Sequence, residues 1–145
     1  MQRRQAILQR YVVLAACACA LAACGITDDR PQTLAYITET ILAPNCASAE
    51  CHSSMKRAYG FAFDTVANAQ ASFASKPTLI PPCKDEPPCA DADTASYLLK
   101  ILTSDQDVYG NRMPLDAPLA NKDIFLIATW IEYGAAGYTQ PAPSP

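Results

Sequence analysis

The stretch Cys46-Ala47-Ser48-Ala49-Glu50-Cys51-His52 constrains this chain more than any other, because it sets two thiols directly ahead of the only histidine among 145 residues. Such a segment is pinned locally in one of two ways. Either the sulfurs close on each other, leaving a surface histidine beside a small disulfide loop, or they hold an external group whose metal the imidazole reaches. The second arrangement is that of covalent haem attachment. In its commoner form, C-x-x-C-H, the cysteines bond to the porphyrin vinyl groups and the adjacent histidine reaches the iron from one side. Here four residues separate the cysteines instead of two. Both readings stay open on this heptapeptide alone.

Residues 1–23 read as an export leader, with Arg3, Arg4 and Arg10 ahead of an apolar run from Tyr11 to Ala23 that is short for a bilayer span. The run ends in Leu21-Ala22-Ala23-Cys24, which resembles the lipobox of bacterial lipoproteins. That resemblance implies a Cys24 that is acylated and becomes the first mature residue. Leu14-Ala15-Ala16-Cys17 repeats the four letters with too little apolar chain before it, and the other reading is an ordinary secretory leader that happens to contain cysteine. Two acyl chains at Cys24 plus an acylated amino group hold a protein to a membrane far more firmly than one chain does. The expected membrane contact is that anchor alone. The expected location is the cell envelope, facing the periplasm or the exterior.

Of the seven cysteines, Cys17 and Cys19 leave with the leader and Cys24 takes the lipid, so Cys46, Cys51, Cys83 and Cys89 remain. An exported domain meets oxidising conditions, and all four are expected to be bonded. Cys83 and Cys89 flank Lys84-Asp85-Glu86-Pro87-Pro88 at a spacing that closes a disulfide staple; a metal role there lacks further ligands. Losing Arg3, Arg4 and Arg10 leaves eight of the 11 basic residues against 14 acidic ones, so the formal charge moves from −3 toward −6. An acidic surface disfavours nucleic acid.

Four helical stretches between Pro-rich and Gly-rich punctuation, with little strand-like alternation, give an all-α fold class. The first covers about Thr33 to Leu42 and ends at Pro44. The second covers about Thr65 to Phe73 with Asp64 as its cap, and the third starts near Thr94 with Asp93 or Thr94 as cap and buries Tyr97, Leu98, Ile101 and Leu102. The fourth spans about Lys122 to Tyr133, capped by Asn121, stopped at Gly134, with Ile124, Ile127, Ala128 and Ile131 on its stripe and Trp130 beside it. The expected organisation is a linker over 24–30, one domain over 31–137 and a disordered Pro-rich tail over 138–145.

The intervening segments 76–92 and 104–120 are too long for simple bundle connections, and such loops usually wrap something. The second contains Gly110-Asn111-Arg112-Met113-Pro114-Leu115. With a single histidine, a second strong axial ligand to iron has to be the thioether of Met55 or Met113, unless the position is open. Met55 follows His52 too closely to reach the opposite face of a ring; Met113 has the chain length to do so, and its other reading is a methionine filling a core gap. Tyr59, Phe61 and Phe63 follow the motif and read by default as apolar core.

Taken together, a helix at Thr33 to Leu42, the motif Cys46 to His52, the pair Met113-Pro114 and a helix at Lys122 to Tyr133 resemble a single-haem class I c-type cytochrome domain, over about Pro31 to Gly137. Ser96-Tyr97-Leu98-Leu99-Lys100-Ile101-Leu102 and Trp130-Ile131-Glu132-Tyr133-Gly134-Ala135 resemble blocks of exported bacterial members. The wide Cys46–Cys51 gap and the Cys83–Cys89 insertion depart from the family pattern. The resemblance implies a small cytochrome c-like helical domain with haem-wrapping loops and a C-terminal helix crossing the first. It implies one haem c on Cys46 and Cys51, with His52 as proximal and Met113 as distal iron ligand. The activity implied is one-electron transfer between redox partner proteins of the envelope, a carrier and not an enzyme. The alternative is a haem-free, disulfide-stapled lipoprotein with a structural or interaction role.

Overall fold

The structure is a computed structural model, and it describes residues 28–83, 87–89, 92–103 and 112–139. The expected leader, the expected anchor at Cys24 and residues 140–145 of the expected tail lie outside the described residues. Every regular element among those described is helical, with no strand, and none of these helices is long and apolar enough to cross a membrane.

The first helix runs further than Pro44 predicts. It starts as α1 (Leu34–Ile37), capped by the Thr33 hydroxyl, which accepts from Tyr36 N, widens into a π-helical segment (Thr38–Leu42), and closes as α2 (Ala43–Cys46). Pro44 has no N–H to donate and its ring crowds the preceding turn. The π register relieves that crowding, with Ala43 N donating to Thr38 O, while the side chain of Asn45 donates to the Ile41 carbonyl. The helix thus survives its proline and carries the chain to Cys46. Leu34, Ile37, Ile41 and Leu42 form its buried face.

Helix α3 (Val66–Ser75) is capped by Thr65, whose hydroxyl accepts from Asn68 N at 3.1 Å. Asp64, expected as the cap, instead accepts from the Asn68 amide side chain and from Ser54 N, both at 2.8 Å. A short turn, α4 (Ala92–Ala95), precedes α5 (Tyr97–Thr103). The cap of α5 is Ser96, a residue that periodicity does not single out. Its buried hydroxyl accepts from Leu99 N and donates to Leu79 O, so one side chain starts the helix and ties it to the turn after α3. Leu98, Leu99 and Leu102 are buried, whereas Tyr97 and Ile101 are half-buried.

Helix α6 (Asn121–Glu132) includes Asn121 as its first residue and has Ala120 at the cap, with no side-chain cap bond. The buried stripe is Leu126, Ile127, Trp130 and Ile131. Trp130 is central to it, not beside it, because its indole N–H reaches Ala136 O at 3.0 Å and the ring is freed for burial. The helix ends as expected at Gly134 (φ +86°), with Gly134 N donating to Ile131 O and Ala135 N to Trp130 O, the paired bonds of a Schellman end.

The closest approaches pair α1 with α3, and α6 with α4 and α5. The first and last helices meet through Ala136 O, which accepts from both Leu34 N and the Trp130 indole. Two sequence boundaries move. Tyr138 is buried against Phe73, and Thr139 exchanges hydrogen bonds with Gln70, so both belong to the packed body and not to the tail. Arg30, placed in the linker, bonds Asp28, Asp123 and the Lys122 carbonyl and so docks on the start of α6. The Cys83–Cys89 disulfide is formed, and Cys89 N donates to Glu132 O, which lays the stapled loop on the end of α6.

Candidate functional site

His52 is held by its backbone before its ring does anything. Its N–H donates to Cys46 O at 2.9 Å and its carbonyl accepts from Phe63 N at 2.7 Å, so the motif loop closes back onto the end of α2 and the returning strand of chain lies over it. The return is a tight reversal through Arg57 (φ 49°) and Tyr59 (φ 54°), non-glycine residues in the left-handed region, with a 3₁₀ turn at Ala58–Gly60. The reversal delivers Phe61 and Phe63 against the imidazole, at centroid distances of 6.2 and 5.4 Å.

The ring lines a cavity of about 500 Å³. That volume lies inside the range of roughly 300–1,000 Å³ usual for small-molecule and cofactor sites. Phe61, Phe63, Leu79, Leu98, Ile101 and Tyr97 make most of its wall, and Met113 completes it. Met113 is tied to α5 by a backbone bond from its N–H to the Ile101 carbonyl at 2.7 Å. His52 and Met113, far apart in sequence, therefore line one cavity. Met55 does not: it is 92% exposed and is not part of the cavity.

Burial pushes the His52 imidazole below its ordinary range, a shift that the Phe61 and Ala58 carbonyls partly offset. The neutral ring is the form that donates a lone pair to a metal. Nδ1 is buried with no hydrogen-bond partner among the described residues. A neutral ring lining an apolar cavity can offer a nitrogen lone pair to a group held there.

Cys46 and Cys51 are half-buried thiols, not joined to each other, in contrast to Cys83 and Cys89. They flank the cavity through His52 and are not on its wall. Burial, with the neighbouring Cys51 thiol adding to it, pushes the Cys46 thiol up to about 12. Among the described residues no group of three or more His, Cys, Asp or Glu side chains converges to hold a bare metal ion.

Tyr59, Phe61 and Phe63, which follow the motif and read either as packing around a bound ring or, by default, as core, all line the cavity. Phe63 is both, buried and in contact with Phe73 at 5.4 Å. Sequence reasoning did not single out Ser75, Lys76 and Leu79, which the turn after α3 brings to the cavity, or assign Tyr97 a role there. In comparisons with protein families, with curated proteins and with solved structures, the chain matches none.

Proposed function

We propose that this chain is an exported, lipid-anchored, single-haem c-type cytochrome that carries one electron between redox partners of the cell envelope. The observation that carries the reading is the convergence of His52 and Met113 on one apolar cavity beside a free thiol pair. The residues fit the group: two thiols for the vinyl carbons, an imidazole held neutral for one side of the iron, and a thioether within the same chamber. When bound, haem supplies reversible iron(III)/iron(II) chemistry.

The polypeptide's part is attachment, ligation and exclusion of water. Cys46 and Cys51 anchor the ring, and the backbone bonds of His52 fix the imidazole relative to them. Phe61, Phe63, Leu79 and Leu98 keep the chamber dry, which strengthens the electrostatic influence of every polar group within it. Met113 completes the ligand set, and histidine–methionine ligation favours the reduced iron and raises the potential. His52 and Met113 are both claimed as ligands, so the carrier reading leaves no open iron position for catalysis. Nothing in the reading requires the domain to touch the membrane beyond Cys24.

A spectroelectrochemical titration of the purified, exported protein tests the activity. A single reversible one-electron wave, with matching changes in visible absorption, is the expected result. A product with no visible absorption and no wave would overturn the proposal and leave the disulfide-stapled lipoprotein in its place.

A further inference from the structure

Among the described residues, the cavity wall holds a cation whose backbone is fastened in place. Among the described residues that line it, Lys76 is the only lysine or arginine, set among Phe61, Phe63, Leu79, Leu98 and Ile101. Its backbone is bonded on both sides, with Lys76 N donating to Phe73 O at 3.2 Å and Leu79 N donating to Lys76 O at 2.9 Å. The same turn is fastened to α5, where Tyr97 N donates to Thr78 O at 2.9 Å and the Ser96 hydroxyl donates to Leu79 O at 2.7 Å. The Lys76 ammonium then sits 5.0 Å from the centroid of the Tyr97 ring.

A ring face attracts an ammonium without consuming its capacity to donate elsewhere, since lysine carries three N–H donors and the ring occupies one side. No aspartate or glutamate lines the cavity among the described residues, and the Arg30 and Lys56 ion pairs involve none of its lining residues. The other polar groups of the wall are His52, the Tyr59 and Tyr97 phenols and the Ser75 hydroxyl. A preorganised cation facing an apolar chamber therefore has no acidic partner on that wall. Protoporphyrin held through its vinyl groups still carries two carboxylates, and a carboxylate against an apolar wall is strongly disfavoured unless paired.

We infer that Lys76, braced over the Tyr97 ring, is the carboxylate-binding group of this cavity and pairs with a haem propionate. The inference rests on the haem reading of the site. Lys76 acts here as a positioning residue, holding one edge of the ring while Cys46 and Cys51 hold another.

The test is the reduction potential of the exported holoprotein between pH 5 and 8, in the wild type and in Lys76→Met, Lys76→Arg and Lys100→Met. A propionate paired with an ammonium stays ionised through that interval, and the potential is flat. Without the cation, protonation enters the interval and the potential acquires a segment that falls as pH rises, because an ionised carboxylate favours iron(III). The expected result is such a segment in Lys76→Met only. Lys76→Arg keeps a donor and stays flat, and Lys100→Met, which removes an exposed charge from α5, shifts the whole curve without bending it. Identical profiles in all four coloured proteins would overturn the role of Lys76 and leave the haem reading standing. A colourless wild type would overturn the haem reading and this inference with it.

Discussion

At the scale of single residues, His52 and Met113 differ in how firmly they are held. His52 is bonded through its backbone on both sides and packed by two phenylalanines, whereas among the described residues Met113 shows one backbone bond, to Ile101. Under the proposed ligand set, Met113→Ala should keep the covalent haem, open the sixth iron position and lower the potential, read as a change in the visible spectrum. Met55→Ala should change neither, given its exposure. An unchanged Met113→Ala spectrum would remove that ligand. Asp64 sets a separate test. Hydrogen bonds from Ser54 and Asn68 hold its carboxyl down at about 2, against an ordinary 3.8. A carboxyl lowered on folding contributes stability above its unfolded value and loses it as pH falls toward its folded one. The melting temperature of Asp64→Asn should therefore lie below wild type at neutral pH, with the gap closing between about pH 4 and 2; a gap independent of pH would contradict it.

At the scale of elements, the caps carry predictions of unequal size. Thr65→Ala removes one exposed cap bond and should cost roughly 1 kcal/mol. Ser96→Ala should cost more, about 1–3 kcal/mol, because it leaves Leu99 N without its partner and strips the buried Leu79 carbonyl of one of its two donors, leaving only the 3.3 Å bond from Leu98 N. Chemical denaturation orders the two, and equal losses would contradict the dual role of Ser96. The four helices were legible from periodicity, since Leu34–Ile37–Ile41 and Leu98–Leu102 repeat at helical spacing. Their ends were less so. Thr65 and Asp64 are both competent caps, and only the bond from Ser54 draws Asp64 away. Ser96 sits inside an unbroken helical pattern, and its value as a cap comes from Leu79 in a different segment. Pro44 read as a stop because a π-helical widening is not encoded in any local pattern. The Cys83–Cys89 staple was readable from spacing, and replacing both with alanine should cost roughly 2 kcal/mol by a loop-entropy argument.

At the scale of the whole molecule, the core and the cavity share a wall. Phe63 contacts both the His52 ring and Phe73, and Phe73 in turn meets Trp130 and Tyr138, so an aromatic series joins the site to the last helix. The site's chemistry-bearing residues could be found by type, because one histidine and few methionines left little choice. Lys76 and Tyr97 could not, since Lys76 does not stand out by spacing, Tyr97 stands out only as a core position of its helix, and the fastening of the α3 turn to α5 places them at the chamber. The shape of that chamber is a tertiary property, built by segments that are irregular in sequence. The bond between protein and porphyrin is the claim beneath all the others. Its most direct measurement is the mass of the exported protein under denaturing conditions, followed by the mass of its Cys46–His52 peptide. The account predicts a haem increment that survives denaturation and maps to that peptide; a peptide without it, lighter by two hydrogens from a Cys46–Cys51 disulfide, would contradict it.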